Sequence, residues 1–120
     1  PHSCMWRASV ARENNMNTQQ KELARIFKKQ KFEYWPPLVI LARLMEEVGE
    51  FARILNKVYG KKKSKRTEVA QDIEDEFGDV LYTLACFANA NGLDLDRALQ
   101  KSIDKVHKNK KELYNIYSQS

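Results

Sequence analysis

From residue 17 onward the apolar positions recur at steps of three and four rather than two, the period of helices that bury one face. Leu23, Ile26 and Phe27 form the first such face behind Asn17 or Thr18 as N-cap, and the pattern fades near Lys31. Pro36-Pro37 opens a second helix, because proline suits a first turn whose N–H groups have no helical partner, and Gly60 closes it. Within it Leu41, Leu44, Val48, Phe51, Ala52 and Leu55 make one wide stripe. Thr67 is expected to cap a third helix, with Glu68 in its first turn, a stripe of Val69, Ile73, Phe77, Val80, Leu81, Leu84 and Phe87, and Asn91-Gly92 as a left-handed end. A fourth helix starts at Asp94 or Asp96 and carries Leu95, Leu99, Ile103 and Val106 toward Leu113, its lysine-heavy last turns fraying. No alternating run bounded by turn residues occurs, so the predicted fold class is all-α, a four-helix bundle with short links.

Length limits this to one domain: 120 residues bury one core, and 4 Gly with 3 Pro leave little material for turns. Residues 1–15 show no periodicity and Met16-Asn17-Thr18 reads as a true start, so 1–15 are set aside as a disordered or appended segment and 16–120 as a single helical domain. Cys4 and Cys86 make neither a disulfide framework nor a metal knuckle. With no long apolar run and no signal-peptide order, the expectation is a cytoplasmic protein with no membrane association. The net charge of +5 owes much to Lys61-Lys62-Lys63-Ser64-Lys65-Arg66 and the C-terminal lysines. That pattern reads first as a solvated face and second as an attraction for polyphosphate.

Acid inside the second stripe changes the picture. Leu44-Met45-Glu46-Glu47-Val48-Gly49-Glu50 places Glu47 and Glu50 about 60° apart at the stripe's border, with Glu46 further round. The third helix repeats the spacing with Glu76 and Asp79, beside Asp72 and Thr83. Brought together, the pairs would make four carboxylates that repel one another and resist burial. A hard cation resolves both problems: Mg²⁺ takes oxygen ligands and keeps waters that phosphate oxygens can replace. Gly49 and Gly78, each beside an acid pair, cost helix stability and so suggest close approach of another backbone or of ligand. The competing reading is ordinary solvated acids paired with Arg43 and Arg53.

Glu46-Glu47-x-x-Glu50 followed by Glu76-x-x-Asp79 resembles the EExxE…ExxD signature of the MazG-like, all-α nucleoside triphosphate pyrophosphohydrolases. Leu38 to Gly60, Asp79-Val80-Leu81-Tyr82 and Asn91-Gly92-Leu93-Asp94-Leu95 continuing to Ala98-Leu99 extend it over residues 20–108, closest to the small single-domain members. The resemblance implies hydrolysis of a (deoxy)nucleoside triphosphate to the monophosphate and pyrophosphate with Mg²⁺ or Mn²⁺, in nucleotide-pool sanitation. It makes Glu47, Glu50, Glu76 and Asp79 the metal ligands, with Glu47 or Glu50 also the candidate base, and implies a homo-oligomer, dimer or tetramer. Glu46 would be a bystander.

Substrate contacts are less defined. Trp35 is a candidate to stack on a base, against a plain packing role; Thr83 and Lys57 are candidates near sugar and base. In the fourth helix the chain departs from the family, with Ser102 and Val106 where many relatives carry lysine and asparagine. Lys101 and Lys105, with His107 and Asn109 nearby, are the substitutes, against a solvated basic face. His2 and His107 do not stand at Glu-x-x-His spacing, which disfavours a ferritin-like di-iron site. The rivals are phosphoribosyl-ATP pyrophosphohydrolase chemistry and a non-catalytic helical module that binds a partner or nucleic acid through its basic loop.

Overall fold

The computed structural model describes residues 16–60 and 66–109, with side chains in the third helix from Asp72 onward. The order is α1 (Thr18–Gln30), α2 (Pro37–Tyr59), α3 (Arg66–Asn91) and α4 (Leu95–Lys108), with no strand among the described residues. The architecture is all-α, as predicted. The 1–15 segment with His2 and Cys4, the basic run at 61–65 and Leu113 lie outside the described residues, as do the side chains of Thr67, Glu68 and Val69; the helix begins at Arg66, so Thr67 stands inside its first turn rather than capping it.

Local chemistry sets the helix ends. Asn17 Oδ1 accepts the Gln20 backbone N–H at 2.8 Å while Gln20 Oε1 accepts the Asn17 N–H at 3.4 Å, a reciprocal capping box. At the other end Lys31 turns left-handed, with φ 58°, and the Lys31 and Phe32 N–H groups donate to the carbonyls of Lys28 and Phe27 at 3.3 and 2.8 Å. That reversal sends residues 32–35 back beside α1, where Tyr34 stacks on Phe27 at 4.4 Å and Phe32 meets Phe27 edge-on at 5.7 Å. Pro36 and Pro37 start α2. Gly60 ends it with extended backbone, its N–H donating to the Asn56 carbonyl at 2.8 Å. Gly92 ends α3 left-handed, with φ 66°, and Leu93 N–H donates to the Ala88 carbonyl at 2.8 Å. Of the two candidates for the α4 cap, Asp94 fills the role: its carboxylate accepts the Asp96 N–H at 3.0 Å.

Packing is dominated by α2 against α3, where Phe51 and Phe77 meet with ring centroids 5.7 Å apart. α1 lies more lightly on α3, and α4 touches its neighbours sparsely. The join between α1, α3 and α4 is polar. Gln20, fully buried, donates from Nε2 to Asn89 Oδ1 at 3.0 Å and to the Leu93 carbonyl at 2.8 Å, and its Oε1 accepts the Leu95 N–H at 2.9 Å. Asn89, also buried, donates to the Gln20 carbonyl and to Tyr34 Oη, both at 3.0 Å. Among the described residues no buried side-chain nitrogen or oxygen lacks a partner, so this network replaces hydration rather than losing it.

Two expectations change. The stripes run along the helices as predicted, but Leu41, Val48, Phe77, Leu81, Leu99, Ile103 and Val106 are exposed in the single chain. An apolar stripe is buried only by an opposing surface, and α1 and α4 supply too little of one. Nor do Gly49 and Gly78 mark a close approach within this chain: a Cβ at either position would meet nothing within 4 Å.

Candidate active site

The buried member of the acid set is Glu47, 8% exposed in the middle of α2. One turn earlier on the same helix Arg43 divides its guanidinium between two carboxylates, with Nη2 at 3.0 Å from Glu47 and Nη1 at 3.1 Å from the exposed Glu46. Across the helix interface α3 presents Glu76 and Asp79. Carboxylate oxygens of Glu47, Glu76 and Asp79 all lie within 4.8 Å of one another. The pairing of α2 with α3 thus converts two local spacings into one cluster.

The cluster is electrostatically uneasy by itself. Partial desolvation holds the Glu76 carboxyl above its ordinary value, and the charges of Glu50, Asp79, Glu47 and Asp72 push in the same direction. An all-oxygen donor set of convergent carboxylates, destabilised by its own charge, fits a hard divalent cation. Glu50 lies close enough to head the charges acting on Glu76 but is not one of the convergent trio. It is exposed and faces Arg53 Nη1 at 3.7 Å.

Beside the trio opens a cavity of about 640 Å³. Ile40, Arg43 and Glu47 of α2 form one wall, and Asp79, Tyr82, Thr83 and Cys86 of α3 the other. Phe27, Phe32, Tyr34 and Trp35 bring aromatic surface from α1 and the turn after it, with Lys31 and Glu33 between them. Thr83, buried, donates its hydroxyl to the Asp79 backbone carbonyl at 2.9 Å, which ties the two cavity residues through one helical turn. Burial pushes the Tyr82 phenol up to about 12, with Cys86 adding to the shift, and burial also pushes the Cys86 thiol up, opposed by its hydrogen bond with Tyr82. Both groups are therefore neutral at physiological pH. The cavity combines an acid end with an apolar, aromatic end.

Of the substrate residues expected from sequence, Trp35 and Thr83 line this cavity. Lys57 does not: it borders a separate shallow depression with Gly49 and Arg53, because the cavity sits over the first half of α2 and Lys57 lies in its last turn. Lys101 borders another depression near Gly92 and Asp94, and Lys105 is exposed on α4. α4 does not fold over the acids in the single chain. Sequence reasoning missed Tyr34, Phe27 and Cys86 as cavity residues, and Gln20 and Asn89 behind them. Asn89, flanked by Ala88 and Ala90 in an apolar helix, was the signal available for the last.

A family model for the MazG nucleotide pyrophosphohydrolase domain matches residues 36–114, which include both cavity walls and all four acids. The chain belongs to the MazG nucleotide pyrophosphohydrolase family. The protein YpjD of Bacillus subtilis (strain 168) is 38% identical over 100 residues, covering 83% of this chain and 90% of YpjD. YvdC of the same organism is 27% identical over 95 residues, covering 74% of this chain and 90% of YvdC. In three dimensions the chain is similar to the crystal structure of YpjD, with a TM-score of 0.66 at 37% identity over 78% of this chain and 94% of that one. It is also similar to the Bacillus-conserved MazG protein, a nucleotide pyrophosphohydrolase, with a TM-score of 0.62 at 38% identity over 72% of this chain and 83% of that one.

Proposed function

We propose that this protein is a divalent-cation-dependent pyrophosphohydrolase that cleaves a (deoxy)nucleoside triphosphate to the monophosphate and pyrophosphate, serving nucleotide-pool sanitation in the cytoplasm. The observation that carries the reading is the convergence of Glu47, Glu76 and Asp79 within 4.8 Å beside a cavity with an aromatic end. Glu47, Glu76 and Asp79 would hold the cation, Mg²⁺ or Mn²⁺, with Glu50 alongside the set. When bound, such a cation supplies charge neutralisation for phosphate oxygens and a polarised water. The chain's own residues supply the rest. Trp35 and the Phe27–Tyr34 stack offer faces for a base at the apolar, aromatic end of the cavity. Glu50, outside the trio and exposed, accepts the proton of the attacking water. The new bond is water oxygen to phosphorus, and the bond broken is a phosphorus–oxygen bond of the α–β bridge.

The exposed stripes of α2, α3 and α4 support a homo-oligomer, dimer or tetramer, in which Lys101 and Lys105 would reach phosphate only if assembly brings an α4 over an acid site. Pyrophosphate release is measured over standard and modified nucleotides and phosphoribosyl-ATP, with Mg²⁺ or with chelator. Release from nucleoside triphosphates that needs the cation, and falls by about a hundredfold or more in Glu50→Gln, is expected for loss of a general base. No release from any nucleotide, or full activity in Glu50→Gln, rejects the proposal; release from phosphoribosyl-ATP alone redirects it.

A further inference from the structure

Arg43 has two ion-pair partners on the next turn of its own helix, and it also faces the cavity. Its side chain is half exposed, whereas that of Glu47 is 10% exposed, so the pair joins a solvent-accessible cation to a nearly desolvated carboxylate. Among the described residues only Lys31 accompanies it as a cation lining that cavity, and Lys31 belongs to the turn after α1 rather than to α2. Among the described residues Arg43 is thus the positive group that adjoins the acids and the substrate space at once.

We propose that Arg43 is an exchangeable counter-ion: it neutralises Glu47 while the acid cluster is free of metal, and turns to a phosphate oxygen of the nucleotide once a divalent cation occupies the cluster. The inference rests on the pyrophosphohydrolase reading above. Charge balance drives the exchange. A buried carboxylate without a counter-ion is strongly disfavoured, which accounts for the pairing in the free protein. A dication beside Glu47 takes over that neutralisation and repels the guanidinium. A triphosphate then brings several negative charges to the same rim, and the planar guanidinium fork matches phosphate oxygens in a way an ammonium does not. Exposure of Arg43 lets it turn without breaking the packing of α2 on α3.

The first arm of the test is cation binding without nucleotide, read by calorimetric Mn²⁺ titration of wild type, Arg43→Gln and Arg43→Lys. Because Arg43 competes with the dication for Glu47, Arg43→Gln binds Mn²⁺ about threefold or more tighter, and Arg43→Lys stays near wild type. If Arg43 only orients Glu47, Arg43→Gln binds Mn²⁺ equally or more weakly, and the proposal is overturned. The second arm measures binding of inorganic tripolyphosphate and of a nucleoside monophosphate in the presence of Mn²⁺. Arg43→Gln loses about tenfold for tripolyphosphate, the size of one charge-assisted hydrogen bond, and clearly less for the monophosphate, which brings less negative charge to the rim. Arg43→Lys falls between; equal losses for both ligands, or none, reject the exchange. Should Arg43→Gln fail to fold, judged by circular dichroism, Arg43→Lys decides alone through the tripolyphosphate arm. A wild type that neither binds tripolyphosphate nor releases pyrophosphate fails the functional reading, whereas one that does both with an unaltered Arg43→Gln fails this proposal only.

Discussion

Glu76 registers the charge of the whole acid cluster. Its carboxyl keeps its proton above the ordinary value of 4.5, through partial desolvation and four neighbouring acids. In the metal-free protein the folded state therefore holds that proton to higher pH than the unfolded chain does. The sign follows: below the ordinary value Glu76 costs nothing, stability falls as pH rises from there to the raised folded value, and the cost is fully present above it. Glu76→Gln removes the titration. In chelator the variant is expected to melt higher than wild type at neutral pH, with the difference closing on acidification; melts in which wild type leads at neutral pH would contradict the account. Saturating Mg²⁺ reverses the order, because only wild type retains the full donor set. At this scale the acids were legible from spacing alone, since three residues on a helix place two side chains on one face whatever the rest of the chain does. The Arg43–Glu47 pair was legible in the same way, being one helical turn apart. That Glu50 would stand outside the convergent trio was not, because it depends on how α2 is rotated against α3.

At the scale of the elements, the helix ends were read from local chemistry and stand close to where that chemistry puts them: Asn17, Pro36-Pro37, Gly60, Gly92 and Asp94 each act within a few residues. The two helical glycines are different. Neither Gly49 nor Gly78 has a neighbour that a Cβ would meet within 4 Å, so in an isolated chain each is only a helix defect. Gly49→Ala and Gly78→Ala should each raise stability by about 1 kcal/mol in denaturant unfolding if the chain acts alone. Destabilisation, or loss of assembly, would mean that a second copy lies against these turns. The loop that roofs the cavity was the least legible element. Its course is held by the left-handed Lys31, by the Tyr34–Phe27 stack and by the Asn89 hydrogen bond to Tyr34, and Asn89 lies far along the chain.

For the whole molecule, the imbalance is between stripe and cover. Buried apolar residues among those described are Met16, Ile40, Cys86, Ala88 and Ala90, mostly small, while Leu99, Ile103 and Val106 leave one face of α4 open. An amphipathic helix with so little cover is stable when another surface meets it. Light scattering coupled to size-exclusion chromatography is expected to give a dimer or tetramer, and Leu99→Glu with Ile103→Glu to lower the mass toward the monomer. A monomeric wild type would remove the assembly from the proposal and leave Lys101 and Lys105 as a solvated basic face.

The sequence by itself determined the helical period, the caps, the family signature and the two acid pairs, because each is a relation among residues a few positions apart. Tertiary structure decided which acids converge, what roofs the cavity, why Gln20 and Asn89 are buried and why Lys57 faces elsewhere. Those outcomes depend on the rotation and offset of one helix against another. Many side chains set that rotation together, and no single spacing along the chain encodes it.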